Sequence, residues 1–356
     1  MTTDSVTSLF LRTLAECYKV SELRRRRAGA TRVTRKRRTQ FYEAAWAEAA
    51  AATNGSVKEL GGGLLEISCG DVRLRVRNNL TSLDDAVTLQ VAGDKPIVYG
   101  LLEDRAIPVP SHVVCAASDL ATARRFMSGL GKPCVVKPAR RTGAGAGITT
   151  GVRTLPRLIA ALARAGAHCG EVIVEEEVGG DNLRLLYLDG ELIDSVRRLP
   201  PVVRGDGVLP IGKLIEKENA DRLRNGTDAG QTLLTIDAEL RGTLRRQGYR
   251  VQSVPEVGSI ITVKSVVNDN RGDDNVAVDR LSTDIIDCGA RAAEAVGVRL
   301  AGVDVITPDP ALSLDEAGGV IIEVNTTPGY YYHYYKRDGR VPVATLILER
   351  LVKAGV

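Results

Sequence analysis

The sequence predicts a mixed α/β fold of the α+β kind, with a small N-terminal region before the main body, and two observations support this. From residue 133 onward, apolar runs of strand length alternate with longer segments of helical periodicity. Residues 57–79 instead alternate short β-prone runs with glycine turns, which is typical of a hairpin or small meander. Alternation that also contains hairpins indicates mixed layers of helices and sheets.

The composition is that of an ordinary globular chain, long enough for two or three subdomains around a sizeable core, with 356 residues of which 44% are hydrophobic. The six cysteines form no C-x-x-C pair, so we expect thiols in a reducing compartment. No apolar stretch is long enough to cross a bilayer, and the first twenty residues lack the basic start of a signal peptide. The predicted location is therefore the cytoplasm, with no membrane partner.

The N-terminal region, residues 1–90, is predicted to contain two helices before the meander. Apolar side chains recur at helical spacing in residues 5–18 and again in residues 37–52. A strongly basic run, RRRRAGATRVTRKRR (Arg24–Arg38), carries nine basic residues in fifteen. Such a run is typical of a phosphate-binding or nucleic-acid-binding arm, or of a solvated helix face. No aromatic residues are interleaved for base stacking, which favours the solvated face, and nucleic acid is not the expected partner.

The body, residues 91–350, begins near the clearest change in composition, close to residue 90. A helix over residues 121–131 that ends at glycines is predicted first, and strands and helices alternate after it. The predicted strands are residues 133–138, 171–178, 184–199 (a hairpin), 259–267, 300–309 and 318–325, and the predicted helices are residues 155–166, 240–251 and 283–296.

A basic, glycine-rich loop follows the first of these strands, in CVVKPARRTGAGAGITT. Lys137 closes the strand, and Gly143, Gly145 and Gly147 leave backbone N–H groups unobstructed, so that they can approach phosphate oxygens. The loop lacks the G-K-[ST] of a Walker motif and the helix of a dinucleotide fingerprint. The pattern therefore indicates either a triphosphate-binding loop or a plain surface hairpin.

Two further patterns suit a nucleotide and its metal. Three glutamates, residues 175–177, end an apolar strand before a turn that leads to Arg184, an arrangement that can accept an adenine amino group and neutralise phosphate, or that is only a charged hairpin. Near the C-terminus, Glu323 and Asn325 are two apart on a strand and share a face, and Asp304 ends another strand. Such a set of oxygen ligands suits Mg²⁺.

These three features, in this order, resemble the ATP-grasp superfamily, and within it the carboxylate–amine ligases related to cyanophycin synthetase. The resemblance begins at GDKPIVYGLLEDRAIPVP, ends near residue 335 and covers roughly two thirds of the chain. It implies a nucleotide held between two α+β subdomains, here residues 91–180 with the glycine loop and hinge, and residues 181–350 with the metal and substrate side. It also implies that the cofactors are ATP and Mg²⁺, with Mn²⁺ as the alternative metal. The protein would form a homo-oligomer.

The resemblance assigns roles to individual residues. Lys95 and Lys137 would hold the nucleotide phosphates, and Asp304, Glu323 and Asn325 would bind magnesium. The mobile loop would include Thr142, Gly143, Gly145 and Gly147. The hinge would contact adenine through Glu175 and the backbone of Glu176, Glu177 and Val178, with Asn182 at the ribose in place of the acidic residue that is usual in the family. Phosphate and acyl phosphate would be held by Arg184, Arg198 and Lys264, and the acceptor would lie near a loop that begins at Asn268.

The function implied is ATP-dependent amide or peptide bond formation between a carboxylate and an amine through an acyl phosphate. The substrates would be an amino acid, a peptide or a natural-product precursor. Two alternatives stay open at this point: an ATP-grasp kinase acting on a small molecule, and a regulatory or nucleic-acid-binding protein that uses the basic run. The intact set of lysine, glycine-loop and metal residues argues against the last of these.

A cluster of aromatic residues follows the predicted metal strand, in EVNTTPGYYYHYY, residues 323–335. We expect the turn at Pro328-Gly329 to bring residues 330–335 beside the γ-phosphate, with alternate rings facing the core. His333 lies within this cluster and is a candidate for contacting substrate or acting as a base on the incoming ammonium group.

Overall fold

The structure, a computed structural model, describes residues 3–26, 30–140, 142, 145–224, 233–267 and 271–354, with side chains omitted for residues 3–6, 21–26 and 30–35. These residues form four sheets, and strands that are adjacent in a sheet run antiparallel. Among the described residues, no helix combines the length and apolar composition that a membrane span requires.

The N-terminal region contains the two predicted helices and the predicted meander. In β2 (Leu64–Cys69) and β3 (Val72–Arg77), alternate side chains are buried, so one face of this small sheet packs inward and the other is solvated. Its elements are α1 (Thr3–Arg26), α2 (Ala30–Ala52), β1 (Ser56–Gly61), β2 (Leu64–Cys69), β3 (Val72–Arg77) and β4 (Leu80–Thr81).

A second four-stranded sheet carries the glycine-rich loop. Its strand order is β5-β8-β6-β7, and the loop connects β6 to β7. The strongly amphipathic α6 packs its apolar face on this sheet, and Leu11 of α1 joins the same core. The elements are α3 (Ala86–Ala92), α4 (Lys95–Glu103), β5 (His112–Ala116), α5 (Leu120–Leu130), β6 (Cys134–Pro138), β7 (Thr149–Val152), α6 (Leu155–Gly166) and β8 (Glu171–Glu176).

The central sheet has five strands in the order β13-β10-β9-β14-β15. Alternation along β9 separates its two faces: Leu183 and Leu185 pack towards α9, whereas Leu186 and Leu188 pack towards α2 and α12. The elements are β9 (Asp181–Leu188), β10 (Glu191–Arg198), β13 (Asn275–Ala277), α9 (Thr283–Val296), β14 (Leu300–Thr307), α10 (Leu314–Ala317), β15 (Val320–Asn325), α11 (Tyr331–Tyr334) and α12 (Val343–Ala354).

A small unit inserted between β10 and β13 has its own apolar core, which contains Ile215, Leu240 and Val263. Its elements are β11 (Val202–Arg204), α7 (Ile211–Arg224), α8 (Ala238–Arg246) and β12 (Ile260–Thr262). The strand predicted over residues 259–267 is thus only three residues long, because β12 pairs with β11 alone and that partner strand is equally short.

Two features of the packing differ from the sequence prediction. The tyrosine cluster forms a helical turn, α11, instead of an extended run with alternating faces. In addition, one apolar cluster contains α2, the meander, β10, α11 and α12, so packing continues across the boundary predicted near residue 90. The division into 1–90 and 91–350 therefore stays a prediction.

Trp46 is central to this shared cluster and gives a test of it. The indole is fully buried, its Nε1 donates to the carbonyl of Asn78 (3.0 Å), and its ring packs edge-on against Tyr330 at a centroid distance of 5.8 Å. We expect Trp46→Ala to lower the free energy of unfolding by about 3–5 kcal/mol, because it leaves a large cavity. The measurement is denaturant unfolding followed by circular dichroism.

Val57→Ala is the matched control, since Val57 is exposed in the same N-terminal region and should change stability by less than about 0.5 kcal/mol. An equally small change for Trp46→Ala would mean that the N-terminal region does not share a core with the body.

Candidate active site

A cavity of about 790 Å³ lies between the glycine-loop sheet and the central sheet, a volume typical of small-ligand sites. Most of the residues singled out from the sequence line it. They are Lys95, Lys137, Thr142, Gly145, Glu175, Glu176, Glu177, Val178, Asn182, Arg184, Arg198, Asp304, Glu323 and Asn325. Residues that are far apart in the sequence therefore line the same cavity.

Lys137 and Glu175 form a buried ion pair on the glycine-loop side, with Nζ and Oε1 separated by 2.8 Å. Tyr99 completes this group: its hydroxyl donates to Glu175 (2.9 Å) and accepts from Lys137 (2.8 Å). Burial, followed by the field of Glu175, raises the pKa of Tyr99 well above its usual 10, so the phenol stays protonated. Glu175 therefore acts as the counter-ion that holds Lys137 in the cavity wall.

The side chains of the other two hinge glutamates, Glu176 and Glu177, accept hydrogen bonds from backbone amides of neighbouring segments. Glu176 accepts from the amide of Ser111 (3.2 Å), and Glu177 accepts from the amide of Gly151 (2.9 Å) at the strand that follows the loop. Their carboxylates and their backbone amides are thus engaged with neighbouring segments, because the amides of Glu176 and Glu177 donate to the carbonyls of Ser111 (2.9 Å) and Pro133 (3.0 Å).

The described part of the glycine loop needs glycine for two reasons. Gly145 and Gly147 both have positive φ, 70° and 80°, which favours glycine strongly. A Cβ added at Gly147 would also lie 2.8 Å from both Pro138 and the ring of His168. Gly147 lies outside the cavity wall, so its requirement is for loop shape, and Gly143 lies outside the described residues.

Arg184, Asp304 and Arg198 form a buried charged cluster on three adjacent strands. Asp304 pairs directly with Arg184 in the register of β14 and β9, and its two carboxylate oxygens accept from that guanidinium at 2.5 and 3.0 Å. Arg198 reaches the same carboxylate at 3.1 Å. Burial acts to raise the pKa of Asp304, but the two arginines outweigh it and hold that pKa below the usual 3.8.

Tyr332 packs against both guanidiniums of this cluster, which lie 5.9 and 5.7 Å from its ring centroid. Arg198 also donates to the side-chain oxygen of Asn182 (2.8 Å). Each arginine is therefore fixed by a carboxylate and an aromatic face, and Arg198 also by an amide.

The three residues predicted to bind magnesium lie beside one another. Asp304 and Glu323 are cross-strand partners on β14 and β15, and Asn325 follows on the same face of β15. Glu323 is paired with Lys95 (3.1 Å), and Asn325 donates to the carbonyl of Gly302 (3.2 Å). Across the described residues, no three His, Cys, Asp or Glu side chains cluster as a metal cage.

Two carboxylates and an amide oxygen fit a magnesium ion that keeps phosphate oxygens and water as its remaining ligands, which is the usual habit of Mg²⁺. They do not form an all-protein cage, because both oxygens of Asp304 are already hydrogen-bonded to arginine. Glu323 carries the less engaged carboxylate of the two.

Two predicted catalytic residues lie away from the cavity wall. Lys264 pairs with Asp237 (3.1 Å), the residue that caps α8. His333 is fully buried: its Nδ1 lies 2.7 Å from Asp194, and its Nε2 has no hydrogen-bond partner among the described residues. Burial lowers the pKa of His333 against the opposing effect of Asp194. Direct contact of His333 with substrate therefore gains no support, and Asn268 lies outside the described residues.

Several residues of the wall were not identified from the sequence as site residues. Tyr99, which lies behind the lining and contacts Lys137 and Glu175, was not identified either; it follows Lys95 by four positions on α4, so helical spacing could have indicated it. Arg38 and Asn79 come from the N-terminal region, and no local pattern marks them. Of the tyrosine cluster, Tyr331 and Tyr332 reach the cavity.

Known proteins share this sequence pattern. A family described as D-ala D-ala ligase C-terminus matches residues 101–199. Cyanophycin synthetase from Synechocystis sp. is 31% identical over 301 residues, which cover 82% of this chain and 34% of that protein. The glutathione biosynthesis bifunctional protein GshAB from Streptococcus agalactiae is 30% identical over 270 residues, which cover 73% of this chain and 35% of that protein. The chain thus spans about a third of the length of these curated relatives.

The fold is shared as well. The crystal structure of a bifunctional glutathione synthetase from Pasteurella multocida superposes with a TM-score of 0.56 at 21% sequence identity, covering 87% of this chain and 43% of that chain. The predicted α+β fold and the resemblance inferred from the glycine loop, hinge and acidic strands are confirmed: the chain has the α+β fold of the ATP-grasp ligases and resembles cyanophycin synthetase over about a third of that enzyme.

Proposed function

We propose that the chain is an ATP-dependent carboxylate–amine ligase that forms an amide or peptide bond through an acyl phosphate and releases ADP and phosphate. The observation that carries this proposal is that two lysines, two arginines and the acidic strand ends all line one cavity. The similarity to cyanophycin synthetase and to a glutathione biosynthesis protein supports the same class of reaction.

The chemistry requires a leaving group. A carboxylate does not react with an amine at neutral pH, because oxide would have to leave. Phosphorylation of the carboxylate by ATP gives an acyl phosphate, and attack by the amine then expels phosphate. Catalysis of both steps consists mostly of positioning and charge neutralisation, so no serine or cysteine nucleophile is needed.

Within this proposal, Lys95 and Lys137 hold the phosphates of ATP. Arg184 and Arg198 stabilise the phosphoryl group during transfer and the oxyanion formed by amine attack, because Asp304 and Tyr332 already hold them in place. Asp304, Glu323 and Asn325 would hold Mg²⁺, or Mn²⁺ in its place, which supplies further charge neutralisation when bound.

The hinge is proposed to bind adenine through the backbone of Glu176, Glu177 and Val178, since all three residues line the cavity while the two glutamate carboxylates are engaged elsewhere. Asn182 is proposed at the ribose, although its side-chain oxygen also positions Arg198. The substrates are proposed to be an amino acid, a peptide or a natural-product precursor, and the homo-oligomer stays a prediction.

Lys137→Ala should reduce ADP release by at least about a hundredfold, because it removes a buried phosphate-binding charge and leaves Glu175 unpaired. The assay is ADP release across a panel of carboxylates and amines, with mass spectrometry of the products. Lys213→Ala, on the exposed face of α7, is the matched control and should keep full activity. Substantial ADP release by Lys137→Ala would contradict the proposed site.

Glu323→Ala should abolish or greatly reduce turnover, because it removes the less engaged of the two proposed magnesium carboxylates. A residual activity should need at least about tenfold more Mg²⁺ for half-saturation, which can be measured by titrating Mg²⁺ at fixed ATP. Glu349→Ala, an exposed position on α12, should leave the magnesium requirement unchanged. An unaltered requirement in Glu323→Ala would remove Glu323 from the metal site.

Isotope transfer separates a ligase from a kinase. With an ¹⁸O-labelled carboxylate substrate, the ligase should place one labelled oxygen in the released phosphate, because that oxygen leaves with the phosphoryl group. Mass spectrometry of the phosphate gives the answer directly. A stable phosphorylated product without release of labelled phosphate would identify a kinase and refute amide formation.

A further inference from the structure

The N-terminal region contributes a cation to the cavity. Arg38, near the middle of α2, and Asn79, in the turn between β3 and β4, both line the wall. The Arg38 guanidinium donates to the Asn79 side chain (3.1 Å), and Asn79 in turn donates to the carbonyl of Thr327. Thr327 lies two residues beyond Asn325, so this contact is next to the proposed metal strand.

Arg38 is held in place by its own helix. Phe41 packs edge-on against Tyr334 (5.2 Å between ring centroids), and the Tyr42 hydroxyl accepts from the backbone N–H of Tyr330 (3.2 Å). Since Tyr42 lies one turn after Arg38, the guanidinium lies over the Tyr42 ring, 6.0 Å from its centroid. The arginine therefore projects from a helix that is anchored in the core.

The charge of Arg38 is not neutralised in the described part of the chain. Across those residues no carboxylate lies within 4.0 Å of its guanidinium, and the side chain is exposed to the cavity. An arginine has five N–H donors, and the described side chains that contact Arg38 are the Asn79 amide and the Tyr42 ring, neither of which carries a negative charge. The other cations of the wall all have a carboxylate partner, namely Lys95, Lys137, Arg184 and Arg198.

Two tyrosines of α11 line the same cavity as this arginine. Tyr331 and Tyr332 lie on the same wall with ring centroids 3.9 Å apart, and Tyr332 is the residue that packs on the two buried arginines. Burial raises the pKa of Tyr331 well above 10, so its hydroxyl remains a hydrogen-bond donor. A guanidinium and phenol hydroxyls that line the same cavity suit an anionic group. A carboxylate is such a group, because its two oxygens match the paired N–H donors of a guanidinium.

We propose that Arg38 binds the unreacted carboxylate of the amine-bearing substrate, which makes that substrate an amino acid with a free carboxylate. This role of Arg38 rests on the proposed ligase activity in one respect: the reacting carboxylate must lie at Arg184 and Arg198, where it meets the phosphoryl group. A second carboxylate then needs a different cation, and Arg38 is the wall cation whose charge is still available. The N-terminal region would thereby select the acceptor.

The experiment measures binding, so that it does not depend on turnover. Each L-amino acid and its α-amide is titrated calorimetrically into the full chain in the presence of Mg²⁺ and a non-hydrolysable ATP analogue. For wild type, we expect at least one amino acid to bind at least about tenfold more tightly than its amide. Arg38→Gln should reduce that ratio to about one, and Arg38→Lys should give an intermediate ratio, because lysine keeps the charge without the fork.

Lys36→Gln is the matched control, since it removes one exposed positive charge from the same helix two residues away and should leave the ratio unchanged. Equal melting temperatures of Lys36→Gln and Arg38→Gln would show that both are folded. The proposal is overturned if the ratio is the same in Arg38→Gln as in wild type, or if no amino acid is preferred over its amide. Absence of ADP release with every substrate pair would refute the ligase, whereas the binding ratio would still decide the role of Arg38.

Discussion

Three charged groups are buried together in the central sheet, where Asp304 accepts hydrogen bonds from Arg184 and Arg198. Burying charge is costly unless each charge is paired and hydrogen-bonded, and loss of one partner leaves the others uncompensated. The arrangement therefore fixes the relative positions of β9, β10 and β14 as well as the two guanidiniums. If the arginines act on a phosphoryl group as proposed, the same carboxylate that stabilises the sheet also holds their positive charge in place.

The charge balance of the wall follows from the same constraint. Four cations, Lys95, Lys137, Arg184 and Arg198, are matched by three carboxylates, Glu175, Asp304 and Glu323. The cavity lining also holds Glu176, Glu177 and Asp181, and Arg38 is its fifth cation among the described residues. An entering polyphosphate would therefore meet cations that carboxylates already hold in place, rather than a lining with an excess of positive charge.

Local patterns predicted much of the fold and of the site. The helix predicted over 283–296 has those bounds in the structure, where Ser282 caps its start and Gly297 ends it in a left-handed conformation. The pairing of Glu323 and Asn325 on one face followed from strand periodicity. By contrast, Arg38 and Asn79 reach the cavity only through tertiary packing, and a single sequence carries no local signal of that.

For the tyrosine cluster, the prediction assumed the two-residue periodicity of a strand, whereas the segment is a helical turn. Alternation assumed an extended chain, but in a helical turn residues four apart share a face, as Tyr330 and Tyr334 do. All four tyrosines from residue 330 to 334 belong to the core cluster, and Tyr331 and Tyr332 also line the cavity. The same turn is packed against α2, which means that the cavity wall and the N-terminal helix share one set of side chains. A chimera that exchanges the N-terminal region between related ligases would therefore have to carry the residues around α11 with it, since neither surface is complete without the other.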